Sequence, residues 1–245
     1  MTPQFLWIFV APVLFTSAFY AHAEEAPLIT ERPGFSTSPQ ALPQGKIQVE
    51  AGVDFDLDVE GVTLPVSLMR YGVAKKLEVQ VGWGGISFVP GDDGVNDLIV
   101  NAKYALSPQQ GNRPNIGIII GTTIPLDDGR GLSDTQTTVG ALWSYDYADG
   151  IGLFGTATLV TQNVADDRDW ALTNAVGVAK ALPEDFGTFI ELFSRFDDKA
   201  GDAHILDFGL TYLFQPELQL DVSAGVGLAG RSAFDFVSFG VSTRW

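Results

Sequence analysis

The chain has 245 residues, 46% of them hydrophobic and only 18% charged, with no cysteine and a formal net charge of −16. That apolar fraction argues against disorder, and the missing thiols exclude a disulfide framework or thiolate metal site. The acidic balance argues against nucleic-acid binding, which needs a basic footprint.

Residues 1–23 read as a secretory signal peptide. The apolar run "FLWIFVAPVLFTSAFYAHA" ends in Ala21-His22-Ala23, an A-x-A cleavage pattern, and Glu24-Glu25 follow at once. The stretch holds no Lys or Arg, a departure from the usual basic start; an uncleaved membrane anchor is the rival reading, opposed by Pro12 and the small-residue end. Residues 24–45 contain four prolines among scattered Ser and Thr, so they are expected to form an extended lead-in with no helix and no regular strand.

From Lys46 the pattern changes to strict alternation. Ile47, Val49, Ala51, Val53, Phe55, Leu57 and Val59 share one side; Gln48, Glu50, Gly52, Asp54 and Asp56 share the other. The same two-residue rhythm returns at Leu77–Trp83, Leu98–Leu106, Thr137–Tyr145, Leu206–Phe214 and Leu218–Leu228, and less cleanly over 61–72, 114–125, 150–162, 169–181 and 187–196. In "FVSFGVSTRW", Val237, Phe239, Val241 and Trp245 fall on one face, and Ser238, Gly240, Ser242 and Arg244 on the other. This predicts about twelve strands, each near the ~10 residues that a tilted strand needs to cross a bilayer.

The connections carry a second signal. Alternate ones look short, at Ala74-Lys75, Ser107–Pro114, Ala148–Gly150, Pro183–Asp185 and Gln215-Pro216. The others look longer and acidic, holding Asp92-Asp93, Asp127-Asp128, Asp166-Asp167 and Asp197-Asp198. Short turns on one side and long loops on the other is the layout of an outer-membrane barrel. The fold class expected over 46–245 is therefore all-β, a transmembrane antiparallel up-and-down β-barrel. A terminal Trp245 suits such a barrel, because its ring sits in the aromatic girdle at the membrane interface.

The lead-in "ITERPGFSTSPQALPQGKIQVEAGV", the "MRYGVAKKLEVQVG" hairpin, the "NIGIIIGTTIP" strand and the closing "FGVSTRW" together resemble the outer-membrane family labelled "putative MetA-pathway of phenol degradation". The resemblance runs in order over nearly all of the chain after residue 23. It implies an exported, transporter-like barrel in the outer membrane, and the terminal aromatic resembles the signal read by the outer-membrane assembly machinery. The phenol link is a naming inheritance, and no residue pattern here shows aromatic specificity.

Alternation puts Glu50, Glu78, Lys103, Glu191, Arg195, Asp207, Asp221 and Arg244 on the lumen side. Arg70 joins them if the turn near Ala74 spans three residues, which would also set it opposite Glu78. A charged lining selects small polar or amphipathic solutes; equally, such charges form a paired network that fills a narrow barrel. Glu31 and Arg32 are expected to reach these charges if the lead-in is a plug, the alternative being a frayed tail.

The expected function is passive passage of a small solute, without catalysis or cofactor, in contact with outer-membrane lipids and lipopolysaccharide. A closed structural or adhesion barrel is the alternative. "DDGVND" and "DDGRGLSD" lack calcium-loop spacing and read as solvated acidic loops. "GVGLAG", Gly225–Gly230, lies in a strand pattern with no helix after it, so it is no nucleotide site. Ser194, His204 and Asn174 fall in a row on the outward face, as a lipid hydrolase would need, but with serine rather than histidine in the middle.

Overall fold

A computed structural model describes residues 27–91, 93–126, 135–148, 150–164, 167–199 and 201–245. The expected signal peptide lies outside the described residues, as do Asp92, Asp127, Asp128 and Asp166 of the acidic loops. Among the described residues the regular structure is entirely β. The strands are β1 (Ile47–Asp56), β2 (Gly61–Ala74), β3 (Leu77–Trp83), β4 (Ile86–Phe88), β5 (Gly94–Val95), β6 (Leu98–Ser107) and β7 (Asn115–Ile124), followed by β8 (Gln136–Ala148), β9 (Ile151–Val164), β10 (Asp167–Ala181), β11 (Phe186–Asp197), β12 (Ala203–Gln215), β13 (Leu218–Ala229) and β14 (Phe236–Arg244).

Every long strand pairs antiparallel with its sequence neighbours, and β1 pairs with both β2 and β14. The sheet therefore has no free edge. With β4 and β5 set aside as short extensions, twelve strands form the closed wall. The seam runs from Gln48↔Arg244 through Gly52↔Gly240 to Asp56↔Phe236. Trp245 finishes it: its N–H donates to the Ile47 carbonyl at 2.8 Å, and the Ile47 N–H donates back at 3.1 Å.

The β3–β4 interruption has a local cause. Pro65 in β2 has no N–H to give the ladder. β3 stops at Trp83, the chain turns through Gly84 and Gly85 (φ 80), and β4 resumes pairing with Val62–Leu64. A side chain on Gly85 would meet the Pro65 carbonyl.

The two-residue rhythm sorts the faces. Met69, Ile120, Val176, Ile190, Phe208, Leu220 and Phe239 point outward and are exposed, whereas Gln48, Glu50, Arg70, Glu78, Lys103, Asp207 and Ser242 are fully buried inside. That inverts a soluble protein and fits a lipid-facing wall. Tyr71, Tyr104, Phe214 and Trp245 ring one end, and Phe88, Trp170 and Phe196 stand exposed toward the other. The first end, where Arg244 meets Pro27, is periplasmic in barrels built this way. The interior also holds apolar wall residues, Ile119, Leu142 and Ile205.

Connection length sorts less cleanly than expected. β9 runs to Val164 and β10 begins at Asp167, so an outer connection expected to be long is short, whereas the periplasmic link between Ser107 and Asn115 is longer than several outer ones. The reason is strand length. β9 and β10 have 14 and 15 residues, beyond the roughly ten that span hydrocarbon, so their hairpin continues as sheet above the membrane.

Phe208 sits mid-strand on the outward face, 53% exposed. Phe208→Arg should destabilise the barrel by about 2–4 kcal/mol, as charges do at the bilayer midplane. Denaturant titration of protein folded into lipid vesicles measures this.

Candidate functional site: the barrel interior and its threaded segment

Residues 27–45 run inside the barrel as a loop with both limbs at the periplasmic end. Pro27 starts beside Arg244, whose guanidinium donates to its carbonyl at 3.0 Å. Ile29 is held by Arg70 (2.7 Å) and by the Gln48 amide (2.9 Å), both donating to its carbonyl. The segment turns at Arg32–Phe35 and descends past Thr156, Gly117, Glu78 and Gly72 into β1.

This segment has little ladder of its own, so the wall's side chains satisfy its backbone. Glu50 accepts the N–H of Glu31 and of Arg32, each at 2.9 Å. Glu191 accepts the Phe35 N–H at 2.6 Å and the Ser36 hydroxyl. Glu78 accepts the Leu42 N–H at 2.7 Å, and the Thr156 hydroxyl accepts the Thr37 N–H at 2.9 Å.

Charges cross-pair in two groups. On one side Arg70 lies 2.8 Å from Glu50, 2.8 Å from Glu78 and 3.0 Å from Glu31. Lys103 lies 2.5 Å from Glu31 and 3.3 Å from Glu78. On the other, Arg32 lies 3.4 Å from Asp221 and 3.9 Å from Asp54, and donates to the Ser238 hydroxyl at 2.6 Å. Of the remaining wall charges, Arg244 pairs with Glu217 (2.6 Å) at the periplasmic rim. Arg195 is partly exposed and pairs with Asp197 rather than with the segment. Glu191 and Asp207 face each other across β11 and β12.

Arg70 enters the lumen by a different route from the one expected. The turn after Ala74 is two residues, and a bulge at Val73 supplies the odd residue that turns Arg70 inward. Its backbone partner is Gln80, with Glu78 opposite Gly72, and the long guanidinium stem still reaches Glu78.

Glycines shape the slot. Gly52 and Gly240, paired across the seam, leave the space in which the Arg32 guanidinium lies; a side chain on either would overlap it. Gly117 and Gly72 make room likewise for the backbone of Pro39 and of Leu42–Pro43. These positions lie on the polar stripes but carry no charge, so alternation alone did not single them out. Neither did it single out Phe35, which stacks on Phe193 at 4.2 Å and meets the edge of Phe236 at 5.8 Å.

Two cavities flank the turn. One of about 630 Å³ opens toward the periplasmic end, lined by Phe154, Lys180, Leu182, Phe186, Phe189 and Glu191 among others. The second, about 390 Å³, lies on the opposite side among Asp54, Thr63, Ser223, Phe234, Phe236 and Ser238. Both are lined by Arg32 and Pro33.

The family described as "Putative MetA-pathway of phenol degradation" matches residues 30–245. The chain belongs to that family. Its fold is similar to that of the COG4313 outer membrane channel from Pseudomonas putida F1, at a TM-score of 0.64 and 13% identity over 87% of this chain and 100% of that one. It is also similar to the NanC porin (TM-score 0.60, 13% identity, 80% and 98% covered) and the KdgM porin (TM-score 0.53, 12% identity, 80% and 98% covered). No curated protein matches the chain. The matched region begins within the threaded segment and runs through the whole wall.

On the outer face the His204 Nδ1 and the Ser194 hydroxyl are 3.0 Å apart. Asn174 pairs with Ser194 across β10 and β11, while His204 meets the edge of the Phe196 ring. Serine stands between the other two, so Asn174 is not placed to orient the imidazole. The described residues hold no cluster of three or more His, Asp or Glu suited to a metal ion.

Arg70→Met should lower stability by about 3–5 kcal/mol, because it strands the buried Glu50 carboxylate without its cation and leaves Glu78 with Lys103 alone. Comparison of denaturant midpoints in vesicles checks it.

Proposed function

We propose that this protein is a passive outer-membrane channel for small solutes, held occluded by its own segment 27–45. The observation that carries this reading is the pair of cavities separated by a single turn, since Arg32 and Pro33 line both. A solute entering from outside meets Asp54, Ser223, Ser238 and the Phe234 and Phe236 rings, then the turn, then the larger inner cavity. Passage needs no bond chemistry; the concentration gradient drives it and the lining sets preference. The channel and porins of similar fold support the same reading.

The wall charges take two roles in it. Glu50, Arg70, Glu78, Lys103, Glu191 and Asp221, with Glu31 and Arg32, hold the segment. Arg244, bonded to Glu217 and to the Pro27 carbonyl, ties the start of the segment at the periplasmic end, and the partly exposed Arg195 stands nearer the outer mouth. The outer end of the barrel is the one turned toward lipopolysaccharide, and Trp245 closes the strand that the assembly machinery would read. The chain is not an enzyme in this reading.

Arg32→Ala removes from the turn a charge-assisted hydrogen bond to Ser238 and two ion pairs, with Asp221 and Asp54. Such a bond contributes about 1.5–3 kcal/mol, so the unseated fraction should rise about tenfold or more. Planar-bilayer conductance and liposome solute flux measure it. Wild type and Arg32→Ala both as tight as protein-free membranes would reject the channel.

A further inference from the structure

Among the described residues, the ion pairs of the interior leave Glu191 and Asp207 without a cation. Asp207 on β12 and Glu191 on β11 are direct cross-strand partners on the lumen face, 0% and 1% exposed. Neither oxygen of Asp207 has a hydrogen-bond partner. Glu191 has both oxygens engaged, one by the Phe35 N–H and one by the Ser36 hydroxyl.

The charged groups around the pair are committed elsewhere. On β11, Arg195 pairs with Asp197. On β13, the residue opposite Asp207 is Gly225, and the nearby Asp221 carboxylate takes Arg32. On the threaded segment, Arg32 serves Asp221, Asp54 and Ser238, and Glu31 serves Arg70 and Lys103. On β10, Glu191 faces Gly177, with Ala175 and Ala179 as its inward neighbours.

Two adjacent carboxylates, buried and without a counter-charge, cannot both stay ionised; the repulsion and the desolvation are relieved when one of them carries a proton. An Asp207 hydroxyl donating to Glu191 gives an orphaned oxygen a partner and leaves Glu191 a net acceptor for Phe35 and Ser36. We propose that Glu191 and Asp207 bind one proton between them, and that this proton keeps the Arg32–Phe35 turn seated across the barrel. Loss of the proton sets two negative charges side by side directly beneath the turn. The turn then leaves and water reaches the pair. The seated state holds one proton more than the unseated state, so seating is complete at low pH and is lost as pH rises. The proton is a ligand of the same lumen, so the inference rests on reading residues 27–45 as an occluding segment.

The chain has no cysteine, so a single Thr37→Cys gives a unique label site, and it leaves the backbone bonds of that residue to Thr156 intact. Its rate of reaction with a maleimide too bulky to enter the occluded barrel is compared with that of the same cysteine in an Asp207→Asn background. The amide donates to Glu191 at every pH, so the second protein stays seated, and the intrinsic reactivity of the thiol cancels in the ratio. The ratio should climb by up to about tenfold per pH unit, the limit for one linked proton. Infrared difference spectra of folded protein should show a protonated carboxyl band at neutral pH that Asp207→Asn abolishes. If Asp207→Asn does not fold, Glu191→Gln keeps an oxygen for the Phe35 N–H and a donor for Asp207, and is expected to behave the same way. A ratio that does not change with pH, or a spectrum unaltered by the substitution, overturns the inference. Neither readout requires solute flux, so absence of flux alone would reject the channel and leave the proton site standing.

Discussion

A sheet placed in hydrocarbon cannot keep an edge, because each unpaired N–H or C=O there costs several kcal/mol. The rest of this structure follows from meeting that constraint with twelve strands. β1 must bond β2 on one side and β14 on the other, and the last residue must return its hydrogen bonds to the first strand, as Trp245 does with Ile47. Closure turns the apolar stripe to lipid and leaves the polar stripe in a space too narrow for bulk water to solvate everything it holds. Arg70, Lys103, Glu50 and Glu78 are each fully buried. Buried charges need partners, and the chain supplies them from its own lead-in.

The lead-in is bound in the manner of a peptide ligand. The N–H groups of Glu31, Arg32, Phe35 and Leu42 go to carboxylates of the wall, the carbonyls of Pro27 and Ile29 to Arg244, Arg70 and Gln48, and the two charges to cations on one side and carboxylates on the other. The ladder of the wall is complete without it. Withdrawing the segment would therefore leave the strand–strand ladder closed, but would break the Gly45 N–H bond to Gly72 and take Glu31 and Arg32 from Arg70, Lys103 and Asp221, whose charges water would then have to solvate. A strand added to the sheet could not be withdrawn without reopening an edge.

How much of this was legible depends on which features have a period. The outward stripes repeat every two residues, so the wall, its faces and the inward setting of Glu50, Glu78, Lys103, Asp207 and Asp221 follow from alternation. A bulge has no such signature. The residue at Val73 that sends Arg70 inward looks like any other strand position, and only the observed register separates Gln80 from Glu78 as its neighbour. The break at Gly84–Gly85 had a sequence cause in Pro65, yet proline in an edge turn and proline in a strand read alike. The course of residues 27–45 has no period at all. What fixes it is three-dimensional: glycines at 52, 72, 117 and 240, far apart in sequence, leave a continuous slot only after the barrel closes. The stacking of Phe35 on Phe193 is of the same kind.

The slot also explains why so narrow a lumen keeps cavities instead of packing solid. Large wall side chains would fill the interior and hold the segment by contact alone. Instead small residues stand where the backbone of the segment passes, and aromatic rings gather near its turn, at Phe193, Phe234 and Phe236. The segment thus fits closely along its limbs, where Gly72 and Gly117 admit it, and at the Arg32 guanidinium, which fills the space left by Gly52 and Gly240, while open volume lies on either side of the Arg32–Pro33 turn. The control of passage proposed above then rests on the few polar contacts at the turn: Arg32 with Asp221, Asp54 and Ser238, and Phe35 and Ser36 with Glu191. Those contacts are electrostatic and short-ranged, so small changes in charge at the wall act directly on the one place where the two cavities are kept apart.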